Sequence, residues 1–122
     1  MKRILIADDE SHIRRILEFN LKRAGYEVLA TEDGQAALAL ALSARPDLVI
    51  LDVSMPELTG LDVCRRLKAE ATLAATPVFL LTARGQESDA EAGHAAGADQ
   101  FFTKPFSPKQ LVEHVRQALG EP

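Results

Sequence analysis

Short apolar runs rich in β-branched residues alternate along the chain with longer segments in which apolar residues recur every three or four positions. Such runs between turn signals are typical of strands, and the three-to-four spacing is typical of amphipathic helices. The runs predict strands at residues 2–7, 26–31, 47–51, 77–81 and 100–103. The periodic segments predict helices at about residues 11–24, 35–44, 61–69, 87–96 and 108–119.

This alternation of strands and helices predicts a doubly wound α/β fold. Parallel strands need crossover connections, and right-handed crossovers carry helices to both faces of one sheet. The third strand contains the apolar run Leu48, Val49, Ile50 and Leu51, without the polar alternation of a strand that faces water. It is therefore expected in the middle of the sheet, covered on both faces.

Length and composition predict one domain that folds without disulfides. The chain has 122 residues, of which 47% are apolar and 26% are charged, as in a globular domain with its own core. We expect residues 1–120 to form this domain and residues 121–122 to be a tail or the start of a linker. The single cysteine, Cys64, cannot form an internal disulfide and is expected in the core.

Charge and hydropathy exclude several classes of partner. The 18 acidic residues outnumber the 14 basic ones, for a net charge of −4, so the chain offers no basic surface for nucleic acid or anionic lipid. No apolar run approaches the ~18 residues of a membrane span. The first apolar run is cut short by Asp8 and Asp9, which argues against a signal peptide, and a cytoplasmic protein is expected.

The functional site of a doubly wound sheet lies beyond the carboxyl ends of its strands. The residues found there are polar: Asp8-Asp9-Glu10 at the first strand, Asp52 at the third, Thr82 at the fourth and Lys104 at the fifth. Crowded carboxylates need a compensating cation, and an oxygen-rich site with open positions suits Mg²⁺. With the metal bound, one carboxylate can act as nucleophile toward a phosphoryl group, whose oxygens Lys104 and Thr82 could contact.

Five short motifs resemble those of the receiver domain of two-component response regulators, over essentially the whole chain. They are Asp8-Asp9, Asp52-x-x-Met55-Pro56-x-x-x-Gly60, Thr82-Ala83, Gly97-Ala98-Asp99 and Lys104-Pro105-Phe106. Each motif alone is weak, and five in this order are specific. The resemblance implies a flavodoxin-like sheet with strand order 2-1-3-4-5. It also implies a phosphoacceptor switch in signal transduction rather than an enzyme that turns over an external substrate.

The resemblance further implies a role for each residue of the site. Asp52 would accept a phosphoryl group from the phosphohistidine of a sensor histidine kinase or a phosphotransfer protein. Asp9 would bind Mg²⁺ directly and Asp8 through water. Asp52 and the backbone carbonyl of Ser54 would complete the protein ligands, and Lys104 would pair with the phosphoryl group.

The same resemblance implies how the signal leaves the site. Thr82 would move to hydrogen-bond the phosphoryl group and Phe101 would turn inward, although the residues alone favour packing as much as switching for Phe101. The readout face would be the fourth helix, the fifth strand and the fifth helix. It would be read by a downstream protein or a missing effector domain, with the receiver a monomer or a phosphorylation-dependent dimer. Ser54 and Arg84 would tune the lifetime of the phosphoryl group.

Three other functions compete with this interpretation. A flavodoxin-type carrier would place Gly, Ser or Thr after the first strand so that backbone amides could approach a phosphate, but Asp8-Asp9-Glu10 would repel one. An aspartate-nucleophile phosphatase would usually carry a second acid two residues after the nucleophile, where this chain has Ser54. A module that docks to a kinase or target independently of phosphorylation stays open as the alternative.

Overall fold

Strands and helices alternate along the molecule as the sequence pattern predicts. The computed structural model describes residues 1–83 and 89–120, with the backbone alone at residues 89 and 90. The strands are β1 (Arg3–Ala7), β2 (Glu27–Thr31), β3 (Leu48–Asp52), β4 (Val78–Thr82) and β5 (Gln100–Thr103). The helices are α1 (Ser11–Arg23), α2 (Gly34–Ala44), α3 (Gly60–Ala69), α4 (Asp89–Ala95) and α5 (Pro108–Leu119). The predicted start of the fourth helix, at Glu87, lies outside the described residues. Within them, no helix is long and apolar enough to cross a membrane.

The five strands form one parallel sheet in the order β2-β1-β3-β4-β5. The expected fold and strand order are therefore confirmed. Every residue of β3 is buried, which agrees with the central place that its unbroken apolar run predicts. Since all the strands run in one direction, their carboxyl ends lie at one edge of the sheet, and the residues that end or follow them meet there.

Alternate strand residues pack on opposite faces of the sheet, because successive side chains of a strand point to opposite sides. On one face, α2, α3 and the α4 segment cover a cluster that includes Leu5, Val49, Leu51 and Leu80. On the other face, α1 and α5 cover a cluster that includes Ile4, Ile6, Ile50 and Leu81. Cys64 lies in the first cluster as predicted, and burial raises the pKa of its thiol.

Among the described residues, α2, α3 and α5 begin at side-chain caps that satisfy otherwise unpaired backbone amides. Asp33 accepts from the amide of Ala36 at 2.8 Å at the start of α2. Thr59 and Asp62 form a reciprocal capping box at the start of α3, and this pairing holds the pKa of Asp62 below its usual value. Ser107 caps α5, with Pro108 in the first turn, where the fixed φ of proline suits the helix.

The Gly97-Ala98-Asp99 motif ties β5 to the loop before β4. The carboxylate of Asp99 accepts from the amide of Val78 at 2.8 Å and from the ammonium of Lys68 at 3.2 Å. That ammonium also donates to the carbonyl of Thr76 at 2.6 Å. Gly97 has a φ of 97°, a conformation that glycine adopts without strain. The motif therefore has a structural role at the amino end of β5, away from the carboxyl edge.

Gly60 brings the first turn of α3 against the backbone of Asp52. A Cβ at this position would collide with the carbonyl group of Asp52, lying 2.9 Å from its carbon. Gly93 in α4 is a milder case, because a Cβ there would lie 3.0 Å from side-chain atoms of Leu80 and Phe101. The two glycines thus differ in whether backbone or side chain occupies the space beside them.

The substitution G60A is expected to lower the free energy of unfolding by about 2 kcal/mol, because the backbone of β3 cannot move aside. G93A is the matched comparison, being the same change within a helix. Alanine has a higher helix propensity than glycine, which stabilises G93A by about 1 kcal/mol. Crowding of the side chains of Leu80 and Phe101, which can shift, opposes this gain. The free energy of unfolding of G93A should therefore stay within about 1 kcal/mol of the wild-type value. Urea unfolding followed by circular dichroism measures both, and a larger loss for G93A than for G60A would contradict the prediction.

Candidate functional site

Four carboxylates gather at the carboxyl edge of the sheet. Oxygen atoms of Asp8, Asp9, Glu10 and Asp52 all lie within 4.8 Å of one another. The pairing of Ala7 with Leu51 places Asp8 directly beside Asp52 on the neighbouring strand. Asp8 is 0% exposed and Asp52 3%, whereas Asp9 and Glu10 are exposed. Two of the four carboxylates are therefore withdrawn from water and face each other.

The ammonium group of Lys104 lies among these carboxylates. It is 2.9 Å from Asp8 Oδ2, 2.9 Å from Glu10 Oε1 and 3.5 Å from Asp52 Oδ1. The backbone amide of Lys104 donates to the carbonyl of Thr82 at 2.7 Å, which anchors the loop after β5. The peptide between Lys104 and Pro105 is cis. A long side chain thus reaches the cluster from a strand that is not next to β1 or β3.

Burial and charge shift the pKa values of the site in opposite directions. Burial, with the neighbouring carboxylate of Asp8, raises the pKa of Asp52 to about 6, against the opposing effect of Lys104. Burial lowers the pKa of Lys104, but its close contacts with the carboxylates of Asp8 and Glu10 outweigh burial and hold the net pKa well above its usual value. The hydrogen bond to Lys104 lowers the pKa of Glu10. The ammonium is therefore fully charged at neutral pH, and Asp52 ionises at a higher pH than an exposed aspartate does.

The loop after β3 fixes the carboxylate of Asp52. The amide of Ser54 donates to Asp52 Oδ1 at 3.3 Å, and the amide of Val53 donates to the carbonyl of Leu81 at 2.8 Å. The amide of Gly60 in turn donates to the carbonyl of Val53 at 3.1 Å. The start of α3 and the end of β4 therefore hold Val53, the residue that follows Asp52.

The donor set fits a hard divalent cation. Among the described residues, the buried Oδ2 atom of Asp8 receives no well-directed hydrogen bond, although the ammonium of Lys104 lies 2.9 Å away. The four carboxylates exceed the single ammonium in charge, and oxygen ligands with open positions suit Mg²⁺. Asp8, Asp9 and Asp52 can hold such an ion, and Glu10 adds a fourth carboxylate to the group.

Thr82 and Phe101 lie on one face of the sheet. Leu80 pairs with Phe101 across β4 and β5, and Thr82 is on the same side of β4 as Leu80 because strand side chains alternate. Thr82 is fully buried, and Phe101 is half-buried against the cluster under α3 and the α4 segment. A change at Thr82 thus acts on the face that Phe101 occupies. Arg84, the other predicted flanking residue, lies outside the described residues.

Two contributors to the site have no role assigned from the sequence. Glu10, placed from the sequence at the end of the first strand, is an ion-pair partner of Lys104. Arg14 donates to the backbone carbonyl of Asp8 at 2.6 Å. Arg14 does carry a sequence signal, because it shares the three-to-four spacing of the buried residues Leu17 and Leu21. A basic residue on a buried helical stripe indicates a specific polar partner.

Comparisons with known proteins agree with this fold. A family model described as the response regulator receiver domain matches residues 4–116. The chain is 42% identical over 118 residues to the alkaline phosphatase synthesis transcriptional regulatory protein PhoP of Bacillus subtilis, covering 97% of this chain and 48% of PhoP. It is equally similar, at 42%, to the phosphate regulon transcriptional regulatory protein PhoB of Pseudomonas aeruginosa, covering 97% of this chain and 52% of PhoB. The chain thus spans about half the length of these curated relatives.

A solved structure gives the same result for the whole fold. The chemotaxis response regulator CheY4 of Vibrio cholerae superposes with a TM-score of 0.90 at 35% identity, covering 97% of this chain and 98% of that one. Receiver domains are signalling switches of two-component systems that interact with histidine kinases and use Mg²⁺ at an acidic pocket, and they do not act on external substrates. The chain belongs to the response regulator receiver domain family.

Proposed function

We propose that this receiver is phosphorylated on Asp52, in a Mg²⁺-dependent transfer from the phosphohistidine of a sensor histidine kinase or phosphotransfer protein. The observation that carries the proposal is the place of Asp52 at the end of β3, 3% exposed and 3.5 Å from the ammonium of Lys104. A carboxylate held in this way is oriented and has lost most of its water. Both properties favour nucleophilic attack on a phosphoryl group.

The transfer exchanges one bond for another at phosphorus. An oxygen of Asp52 bonds to phosphorus as the phosphorus–nitrogen bond of the phosphohistidine breaks, and the imidazole leaves with the electron pair. The pKa of Asp52, raised to about 6, leaves the carboxylate mainly ionised at neutral pH and therefore nucleophilic. Mg²⁺, held by Asp8, Asp9, Asp52 and the backbone carbonyl of Ser54, would offset negative charge on the phosphoryl oxygens.

Lys104 supplies the positive charge that belongs to the chain itself. Its ammonium already faces Asp52 at 3.5 Å and stays protonated because Asp8 and Glu10 raise its pKa. A phosphoryl oxygen on Asp52 would meet this ammonium without a rearrangement of β5. Such fixed charge, aimed where negative charge accumulates, stabilises phosphoryl transfer.

We further propose that phosphorylation changes the face formed by α4, β5 and α5. Thr82 ends β4 beside Leu81, the partner of Asp52 across the sheet, so its hydroxyl would be drawn toward a new phosphoryl group. Phe101 lies on the same face as Thr82 and against Gly93 of α4, and the space that Thr82 leaves would let the ring move inward. The readout would then be a change in packing, since Phe101 has no hydroxyl group.

A protein effector would read this change. The curated relatives are named transcriptional regulators, and the matched segment is about half of their length. We propose that the phosphorylated face signals to an effector domain or a separate partner protein, with the receiver a monomer or a phosphorylation-dependent dimer. Residues 1–120 are proposed as the receiver unit, with residues 121–122 as a tail or the start of a linker.

Incubation with acetyl phosphate and Mg²⁺ should add one phosphoryl group to the wild type, and intact mass spectrometry detects it. D52N should gain none, and the wild type should gain none when a chelator removes the metal. D33N is the matched control. Asp33 lies outside the cluster and caps α2, and asparagine caps a helix about as well as aspartate. D33N should therefore be phosphorylated like the wild type. An adduct that persists in D52N would place the phosphoacceptor elsewhere. The wild type could also bind Mg²⁺ and gain no adduct. If a phosphoryl mimic then shows that rapid dephosphorylation is not the cause, the result would indicate the alternative function, a module that docks independently of phosphorylation.

The substitution D52N should raise the free energy of unfolding without Mg²⁺ by about 1–2 kcal/mol at about pH 7. The pKa shift of Asp52 corresponds to a cost of at most ~3 kcal/mol for its ionised form, and the buried amide recovers only part of it. Asp52 is protonated in both states below about pH 4, so its cost appears as the pH rises toward 6. The gain should therefore be full at about pH 7 and shrink as the pH falls.

Urea unfolding at several pH values, with a chelator present, measures this gain. D9N is the matched variant, because it removes an exposed carboxylate from the same cluster and should stabilise less than D52N. Adding Mg²⁺ should stabilise the wild type, which binds it in the folded state, more than D52N. A D52N protein less stable than the wild type at neutral pH would show that repulsion in the cluster is not the dominant cost.

A further inference from the structure

Arg14 in the first turn of α1 has a contact that the proposed function does not use. Its side chain is 16% exposed, and one guanidinium nitrogen donates to the backbone carbonyl of Asp8 at 2.6 Å. The other terminal nitrogen is 3.4 Å from Glu32, whose side chain is 77% exposed. Ion pairs as exposed and as long as this one contribute little. The bond to the carbonyl of Asp8 is therefore the principal contact of Arg14.

This bond completes a set of contacts that hold every polar atom of Asp8. The amide of Asp8 donates to the carbonyl of Thr31 at 3.2 Å. Its Oδ1 atom accepts from the amide of Glu10 at 2.9 Å, and its Oδ2 atom lies 2.9 Å from the ammonium of Lys104. Its carbonyl accepts from Arg14. Residue 8 is thus fixed at its backbone by β2 and α1 and at its side chain by the site.

The carbonyl that Arg14 holds belongs to the peptide unit that joins Asp8 to Asp9. A peptide unit is planar, so fixing its oxygen fixes the plane and the direction in which the chain enters Asp9. Asp9 is exposed, and its carboxylate belongs to the group of four. Rotation of this peptide would swing the Asp9 side chain away from Asp52.

We propose that Arg14 is a positioning residue for the cation site, acting through the Asp8–Asp9 peptide to aim the carboxylate of Asp9. The inference rests on the proposed function, because it takes Asp9 as a ligand of Mg²⁺. Arg14 touches neither the ion nor the phosphoryl group. Groups that orient metal ligands from the second layer typically change metal affinity by ~10–100-fold when they are removed.

Positioning and simple charge predict opposite results when Arg14 is removed. The guanidinium is a positive charge close to a group that binds a cation, so its loss should tighten Mg²⁺ binding if charge alone matters. If Arg14 orients Asp9, its loss should weaken Mg²⁺ binding despite the more negative site. A purely structural role would lower the free energy of unfolding and leave the affinity of the folded protein unchanged.

The test is the Mg²⁺ dissociation constant of R14M, measured by isothermal titration calorimetry on the whole chain. R15M is the matched control, because Arg15 is the next residue of α1, is exposed, and has no hydrogen-bond or ion-pair partner within the described ranges. We expect R14M to bind Mg²⁺ about tenfold more weakly than the wild type, and R15M to bind it as tightly as the wild type or slightly more tightly. Affinity in R14M equal to or tighter than that of R15M would overturn the proposal.

R14K keeps the test decisive if R14M unfolds. Lysine retains the charge and one donor for the carbonyl of Asp8. The Mg²⁺ affinity of R14K should therefore stay within about threefold of that of the wild type. An R14K protein that folds but binds Mg²⁺ about tenfold more weakly would contradict the carbonyl bond as the cause. If the wild type does not bind Mg²⁺, the proposed function itself is contradicted. If the wild type binds Mg²⁺ and R14M binds it equally well, only the role of Arg14 is contradicted.

Discussion

The ammonium group of Lys104 lies between carboxylates that would otherwise repel one another at the carboxyl edge of the sheet. It contacts Asp8 and Glu10 at 2.9 Å and Asp52 at 3.5 Å. The register of β1 and β3 forces Asp8 and Asp52 to be neighbours, and both are buried. Removing like charges from water in this way is costly without a positive partner. The loop after β5, which carries Lys104 to this place, is thus a condition for the rest of the site.

Lysine alone does not balance the cluster, and the imbalance is the basis of the proposed function. Lys104 pairs with Asp8, Glu10 and Asp52, and Asp9 adds a fourth carboxylate to the group. Burial and Asp8 raise the pKa of Asp52, and one buried oxygen of Asp8 has no well-directed donor among the described residues. Active sites often retain such unfavourable groups because ligand binding needs them. A divalent cation would supply positive charge to the carboxylates, and a phosphoryl group would supply oxygen atoms to the ammonium of Lys104.

The same geometry separates this chain from other doubly wound proteins. Carboxylates after β1 exclude a bare phosphate that backbone amides would bind in a flavodoxin-type loop. Ser54, whose amide donates to Asp52, stands where an aspartate-nucleophile phosphatase usually carries its general acid. These residues support the proposed transfer of one phosphoryl group to Asp52 over repeated hydrolysis of an external substrate.

The sequence by itself determined the order of strands and helices, the central place of β3 and the polar residues at the strand ends. These features depend on local periodicity and on the rule that parallel strands end at one edge, both of which can be derived from the chain alone. Helix starts were less certain, because Gly60 begins α3 through contacts of Thr59 and Asp62 that apolar spacing does not indicate. Only the tertiary structure decided that Lys104 pairs with Glu10 as well as Asp8, and that Arg14 holds the carbonyl of Asp8. These contacts join residues from different elements, and Lys104 and Glu10 are 94 positions apart. They depend on distances that the packing of α1 and β5 against the sheet sets.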